Sequence, residues 1–299
     1  MELTWLEDFL ALAEHRNFSR AAEARHVTQP AFSRRIRALE EWVGAALAVR
    51  TPQGVVLNAA GEYFLDRVAG LVAEIHQARR GALKAAGKAE AALTIAATHA
   101  LSFSFFPGWI RAIAPMETLG PLNLVSDTMA ACERILRAGD ADFLLCHTRA
   151  GAGTALAEEA FASIVVGEDT LVPVSAPDER GTPRWTLPAT ADARVKLLGY
   201  NAASGLGRIL TATGLAAGLE TVFTSPLAAA LQTMARQGQG VTWLPRSMAA
   251  EDLSAGRLVE VGSADCSVVV EIRLFRPTRR LSNAAEKFWQ RMVQATRSS

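Results

Sequence analysis

Residues 17 to 40 read Asn-Phe-Ser-Arg-Ala-Ala-Glu-Ala-Arg-His-Val-Thr-Gln-Pro-Ala-Phe-Ser-Arg-Arg-Ile-Arg-Ala-Leu-Glu, and they constrain the fold more than any other stretch. Two short helical patterns follow one another with only His26-Val27 to connect them. Ser19 is a good N-cap for the first, and Ala21, Ala22 and Ala24 let that helix pack closely. Thr28 can cap the second, and Pro30 falls in its first turn, where a missing N–H costs little. Phe32, Ile36, Leu39 and Val43 recur at spacings of four, three and four and so face a core. Gln29, Ser33, Arg34 and Arg37 fall on the opposite side. An earlier helix, from about Thr4 to Ala13, places Leu6, Phe9, Leu10 and Ala13 on one face. Together these patterns predict a helix-turn-helix with a donor-rich second helix.

Those donors suit double-stranded DNA. Arginine pairs with guanine and glutamine with adenine, and the N-terminal part of such a helix enters the major groove. Gln29, Ser33 and Arg34 are expected on bases, with Thr28, Pro30 and Arg35 or Arg37 along the backbone. An isolated Arg-Arg-x-Arg run would read as a solvated face; the preceding helices and the Thr-Gln-Pro start favour DNA. Residues 50 to 58, Arg-Thr-Pro-Gln-Gly-Val-Val-Leu-Asn, read as a turn and short ribbon, the wing of a winged helix, with Arg50 placed for a phosphate.

Asn58 caps a long helix expected to reach about Ala86. Phe64, Val68, Leu71, Ile75, Ala78, Ala82 and Ala85 alternate at spacings of four and three, a heptad seam that predicts a homodimer. The other reading is packing on the chain's own C-terminal part. Gly87 and its neighbours mark a hinge.

The 299 residues allow two or three domains, and half are hydrophobic. No apolar run reaches the roughly twenty residues that a membrane span needs, and the N-terminus does not read as a signal peptide. A cytoplasmic chain with no membrane partner is expected. The net charge of +1 does not announce nucleic acid; that argument rests on local clustering. Cys132, Cys146 and Cys266 form no close pair, so neither a zinc motif nor a disulfide framework is suggested. No metal and no cofactor are expected.

From Ala92 short apolar runs alternate with helices. Expected strands are Leu93–Ala97, Leu122–Val125, Phe143–Cys146, Ile164–Val166, Thr170–Val174, Val195–Leu198, Glu220–Phe223, Gly240–Leu244 and Val268–Phe275. Helices are expected to start near Ser104, Thr128, Ser204, Ser225, Arg246 and Ser282. The alternation predicts parallel α/β units arranged as two lobes around a cleft. Ligands of such folds sit at strand ends near helix N-termini, where free N–H groups suit an anion. The polar residues there are Thr98, His99 and Ser102, then Ser126 and Thr128, His147 and Thr148, Tyr200, Asn201 and Ser204, and Ser225 before Pro226. Ordinary helix capping is the other reading for each Ser or Thr. No phosphate-binding glycine loop, H-E-x-x-H or G-x-S-x-G motif is present, so no enzyme is expected. An enzyme with a helix-turn-helix docking module, or a ligand-binding protein related to periplasmic receptors, are the competing classes.

Over essentially its whole length the chain resembles LysR-type transcriptional regulators. The resemblance rests on Phe18-Ser-x-Ala-Ala22, Val27-Thr-Gln-Pro-Ala-Phe-Ser-Arg34, Leu39-Glu40, the wing, Gly61, and Gly238-x-Gly-Val-x-Trp-Leu-Pro245. One departure is Leu47-Ala-Val-Arg50, where the family usually has Leu-Phe-x-Arg. The resemblance implies a mixed fold: an all-α winged helix-turn-helix over 1–58, a linker helix over 59–88, and a two-lobed α/β domain like periplasmic binding proteins over 89–299. Lobe I would take about 89–166 and 267–299, and lobe II about 167–266. It implies further a homodimer or homotetramer on promoter DNA, a small-molecule effector, and RNA polymerase as a partner. The chain is similar in particular to the hypochlorite-responsive LysR-type regulators through Trp5-Leu-x-Asp-Phe-Leu10, Arg16-Asn-Phe-Ser19, His99-x-Leu-Ser102, Gly207-Arg208 and Phe288-Trp289. That likeness implies an oxidant signal acting on methionine thioethers. Two of the aligned methionine positions hold Leu206 and Leu227 here, while Met116, Met129, Met234 and Met248 remain.

Overall fold

The computed structural model describes residues 1–52, 54–86, 93–113, 120–152, 154–188 and 195–297. The hinge expected at Gly87 and the methionine at 116 lie outside them. The chain divides into two compact units, the first holding Met1–Lys88 and the second the bulk of the chain from Ala89 on.

The first unit comprises helices α1 (Leu3–His15), α2 (Phe18–Ala24) and α3 (Gln29–Val43), a ribbon of β1 (Ala48–Thr51) and β2 (Gly54–Leu57), and the long α4 (Ala59–Ala85). Its core is built on Phe9, Leu12, Phe32, Ile36, Leu39 and Leu47, as the helical spacings require. Asn17, not Ser19, caps α2: its Oδ1 accepts from the N–H of Ser19 at 2.9 Å and of Arg20 at 3.1 Å. Thr28 occupies the N-cap position of α3 without a side-chain cap bond. Arg16 and His26 adopt left-handed φ values of 48° and 54°, which close the turns flanking α2. Glu40 Oε1 accepts from the N–H of Leu47 at 2.8 Å and so ties the ribbon to α3. Gly61 has a steric reason: a Cβ there would lie 2.0 Å from the Leu47 carbonyl oxygen.

The expected seam on α4 divides. Val68 is buried in the unit's own core, and the half-buried Phe64 packs against it, edge-on to Phe9 at 5.4 Å. Leu71 and Ile75 remain 52% and 43% exposed, and Ala78 is exposed too. A heptad period marks an apolar face without saying what covers it.

The second unit orders its main sheet β10 (Val259–Glu260), β6 (Phe161–Ser175), β11 (Val268–Pro277), β5 (Phe143–Thr148), β3 (Leu93–Thr98), β4 (Leu122–Asp127), with β9 (Thr242–Pro245) also on β6. A second sheet pairs β7 (Lys196–Tyr200) with β8 (Glu220–Ser225). The helices are α5 (His99–Ser104), α6 (Phe106–Ile113), α7 (Met129–Ala138), α8 (Gly205–Thr213), α9 (Ala228–Arg236), α10 (Arg246–Ser254) and α11 (Asn283–Arg297).

Three expectations need correction. The sheet is mixed: β3 pairs in parallel with β4 and β5, but β11 runs antiparallel to both β5 and β6. The runs read as two strands around Gly167-Glu-Asp169 form one fifteen-residue strand, β6, because β11 pairs along nearly all of it. The helix expected near Ser104 is preceded by α5, which already begins at His99.

Three hydrophobic cores flank this sheet, the smallest gathering Cys132, Leu136, Leu144 and Cys146, with two larger ones beside it. One of these two gathers Ile95, Leu101, Phe143, Leu145, Leu274 and Phe288. The other gathers Leu171, Leu198, Leu231, Val241, Trp243 and Val270. Strands β6 and β11 run through both. The β11 register shifts between Ile272 and Arg273, beside the point where its inward residues pass from one core to the other.

Candidate functional site

The helix-turn-helix presents two kinds of polar side chain. Thr28, Pro30, Arg34 and Arg37 are exposed on α3, and Arg50 is exposed on the wing, with its guanidinium over the Phe18 ring at 4.3 Å. Ser33, expected on a base, is buried and bonded to Gln29 Nε2 at 3.0 Å. Arg35 is half-buried, with Nη1 3.3 Å from Asp8 Oδ2. The spacing that put Ser33 on the outer side overlooked that a small hydroxyl beside Phe32 can tuck under its neighbour.

In the second unit a cleft is lined by Thr98, His99, Asp127, Thr128, Met129, His147, Ser204, Gly205, Leu206 and Pro226. The chain folds this way because β3, β4 and β5 end on one side, and the first residues of α7 and α8 face them; Ala130 N–H donates to the Ala203 carbonyl at 3.3 Å. Gly205 keeps the approach close, since a Cβ there would stand 3.3 Å from the Met129 side chain. The Ser204 hydroxyl accepts from Gly207 N–H, and Thr128 Oγ1 from Ala131 N–H, both at 3.3 Å.

His147 is the distinctive member. It is 4% exposed, and neither ring nitrogen has a hydrogen-bond partner. Burial pulls its pKa down to about 4, against an opposing pull from the Asp169 carboxylate. Thr98 Oγ1 is likewise buried and unbonded. At the rim, Ser126 Oγ lies 3.0 Å from His99 Nδ1 and 2.7 Å from Ser102 Oγ.

The other expected residues stand apart from this cleft. Tyr200 donates its hydroxyl to the Trp243 carbonyl at 2.8 Å, and burial raises its pKa. Asn201 is exposed and holds Ala203 N–H at 3.1 Å; Ser225 is buried and holds Leu227 N–H at 3.1 Å. Local capping accounts for Asn201 and Ser225. Sequence reading missed Asp127, Leu206 and Pro226 as lining, although each adjoins a residue it had marked or aligned.

Beside the cleft, Glu133 on α7 is 1% exposed and takes both oxygens to Arg208 Nη1 on α8, at 2.9 and 3.0 Å. All three cysteines are buried. Burial, with the Asp127 charge nearby, pushes the Cys132 thiol up to about 12. Among the described residues no cluster of metal-ligating side chains occurs, and no helix is long and apolar enough to cross a membrane.

A helix-turn-helix unit with a ribbon, followed by an α/β unit with a polar cleft, is the architecture of a DNA-binding regulator. The bacterial regulatory helix-turn-helix family of LysR type matches residues 3–62, and the LysR substrate binding domain family matches 86–297. The chain belongs to the LysR family of DNA-binding transcriptional regulators and carries its effector-binding domain. It is 31% identical over 295 residues to the HTH-type transcriptional regulator YjiE of Escherichia coli, covering 98% of this chain and 94% of that one. Full-length HypT of Salmonella typhimurium, a hypochlorite-specific LysR-type regulator, is 31% identical with a TM-score of 0.58, covering 99% of each chain. Vibrio fischeri DarR, solved in complex with DNA, is 31% identical with a TM-score of 0.57, covering 98% of each. These families and relatives are transcriptional regulators, not enzymes.

Proposed function

We propose that a small effector entering the cleft of the second unit switches this regulator on promoter DNA. The observation that carries the reading is His147. A buried imidazole normally has a partner, and a desolvated polar group left unbonded costs about 1–3 kcal/mol, which a bonding ligand offsets. The hydroxyls of Thr98 and Ser204 and the first N–H groups of α7 and α8 suit a small carboxylate or related anion. The effector acts as a signal only if it favours one arrangement of the oligomer over another. On DNA, Gln29 and Arg34 read bases, while Thr28, Pro30, Arg37 and Arg50 follow the backbone. Leu71, Ile75 and Ala78 on α4 supply the homodimer contact, with a homotetramer and RNA polymerase as the further partners.

Calorimetric titration of small carboxylates into the full chain tests this. Heat with the unaltered protein and none with His147→Leu or Ser204→Ala supports the cleft. Equal binding by all three sinks it.

Met129 favours a second reading, in which an oxidant is the signal. Its thioether forms part of the cleft wall against Gly205, and sulfoxidation there would set a polar oxygen into an apolar contact. The cysteines suit this role less, because burial suppresses the thiolate at Cys132 and Cys146. A hypochlorite response that survives Met129→Leu would exclude Met129.

A further inference from the structure

Asp8 is a carboxylate with no exposed surface, set on α1 among the first three helices. Burying an ion costs several kcal/mol unless it is paired. Each of its oxygens has its own guanidinium: Arg25 Nε donates to Oδ1 at 2.8 Å, and Arg35 Nη1 to Oδ2 at 3.3 Å. Arg25 also donates from Nη2 to Glu7 Oε2 at 2.6 Å. The other Glu7 oxygen lies 2.9 Å from Nε2 of His76, on α4. Polar contacts therefore run without a gap from α4 to α1, through the residue that closes α2, and on to α3.

Arg34 and Arg35 are neighbours in sequence with different surroundings. Arg34 is exposed, while the Arg35 charge is turned onto a buried carboxylate. An arginine already neutralised within the protein displaces few counterions from DNA.

We propose that Glu7, Asp8, Arg25 and His76 are positioning residues for DNA recognition. They hold α3 in register with α4 through Arg35, which ends this relay instead of gripping a phosphate. Apolar contacts such as Phe9 on Phe64 tolerate sliding, whereas charged hydrogen bonds fix distance and direction. A displacement of α4 that draws Glu7 off Arg25 frees that guanidinium to turn, and so changes how Asp8 is shared between Arg25 and Arg35; the recognition helix thereby feels the position of the linker helix.

The test uses the full chain and a duplex selected by it from a random library, with affinity measured across a salt series. Arg37→Ala, at an exposed arginine placed on the DNA backbone, is expected to reduce the slope of log affinity against log salt by about 0.9, the share of one phosphate contact. Arg35→Gln is expected to weaken binding about tenfold with the slope unchanged, as for lost positioning. A slope change as large as that of Arg37→Ala would overturn the assignment of Arg35. If Arg35→Gln does not fold, Asp8→Asn combined with Arg35→Gln removes both charges and is measured in the same way. His76→Ala is expected to weaken binding about threefold, while His76→Gln, which keeps a donor near Glu7, restores it. His76 and Arg35 share no direct bond, yet the double variant should bind no more weakly than Arg35→Gln alone. Losses that simply multiply, or full affinity in both single variants, would overturn the relay.

Discussion

The two binding regions keep their polar groups in opposite conditions. On α3 and the wing, the candidate DNA donors stand in water, and those that do not are bonded within the protein: Ser33 to Gln29, and Arg35 to Asp8. In the cleft, Thr98 Oγ1 and both nitrogens of His147 are buried with no hydrogen-bond partner within the protein. A surface built the first way costs little to leave empty and binds a polyanion mainly through released counterions. A cavity built the second way is unfavourable while empty, so even a small ligand with matching groups has leverage on it.

Four measurements would break or sharpen this contrast. The largest effect is expected where the second unit buries a charge: Arg208→Ala takes a guanidinium from the buried Glu133 carboxylate and should cost up to about 3–5 kcal/mol in urea unfolding. A loss below 1 kcal/mol would mean that water already compensates the pair. Next comes His147, whose folded pKa of about 4 lies below its ordinary 6.5. Between those values the unfolded chain binds more protons. Stability should therefore fall as pH drops from about 6.5 towards 4, by up to about 3 kcal/mol from this group. His147→Leu should flatten that part of the pH profile; an unchanged profile would show that the imidazole is not kept neutral by burial. On the exposed side, Arg34→Ala should lose about 1–3 kcal/mol on selected DNA and relax preference at one base position, with little change in unfolding midpoint. The smallest effects separate two caps. Asn17→Ala should cost about 1 kcal/mol of stability, whereas Thr28→Ala, which breaks no cap bond, should stay within about 0.5 kcal/mol. Equal losses would mean that Thr28 caps α3 after all.

Helical spacing made the first unit legible. Phe32, Ile36 and Leu39 lie in the core as their periodicity requires, and the Thr-Gln-Pro start opens α3. The mistakes arose where a local signal has two satisfactions. Both Asn17 and Ser19 can cap α2; Asn17 is the one whose carbonyl reaches the N–H groups. Phe64 and Val68 fit a seam equally well between chains or against α1, and sequence alone carries no term for which surface arrives first. Gly167-Glu-Asp169 has turn composition, yet long-range pairing with β11 overrides it. The cleft was half legible. His147 and Ser204 were found because they end a strand and start a helix. Asp127, Leu206 and Pro226 need three-dimensional neighbours to be recognised, and nothing local reveals that the Tyr200 hydroxyl donates to the residue 243 carbonyl.

The fifteen-residue β6 and its antiparallel partner β11 thread both larger cores side by side, with the register slip beside Ile272. Two parallel rails resist twist and slide, because either motion breaks a row of ladder bonds at once. They yield most readily to folding about a line across both strands, and the bulge is where the ladder is already interrupted. An effector acting through the cleft, as proposed, would thus drive a movement set by the crease in the sheet more than by the ligand itself.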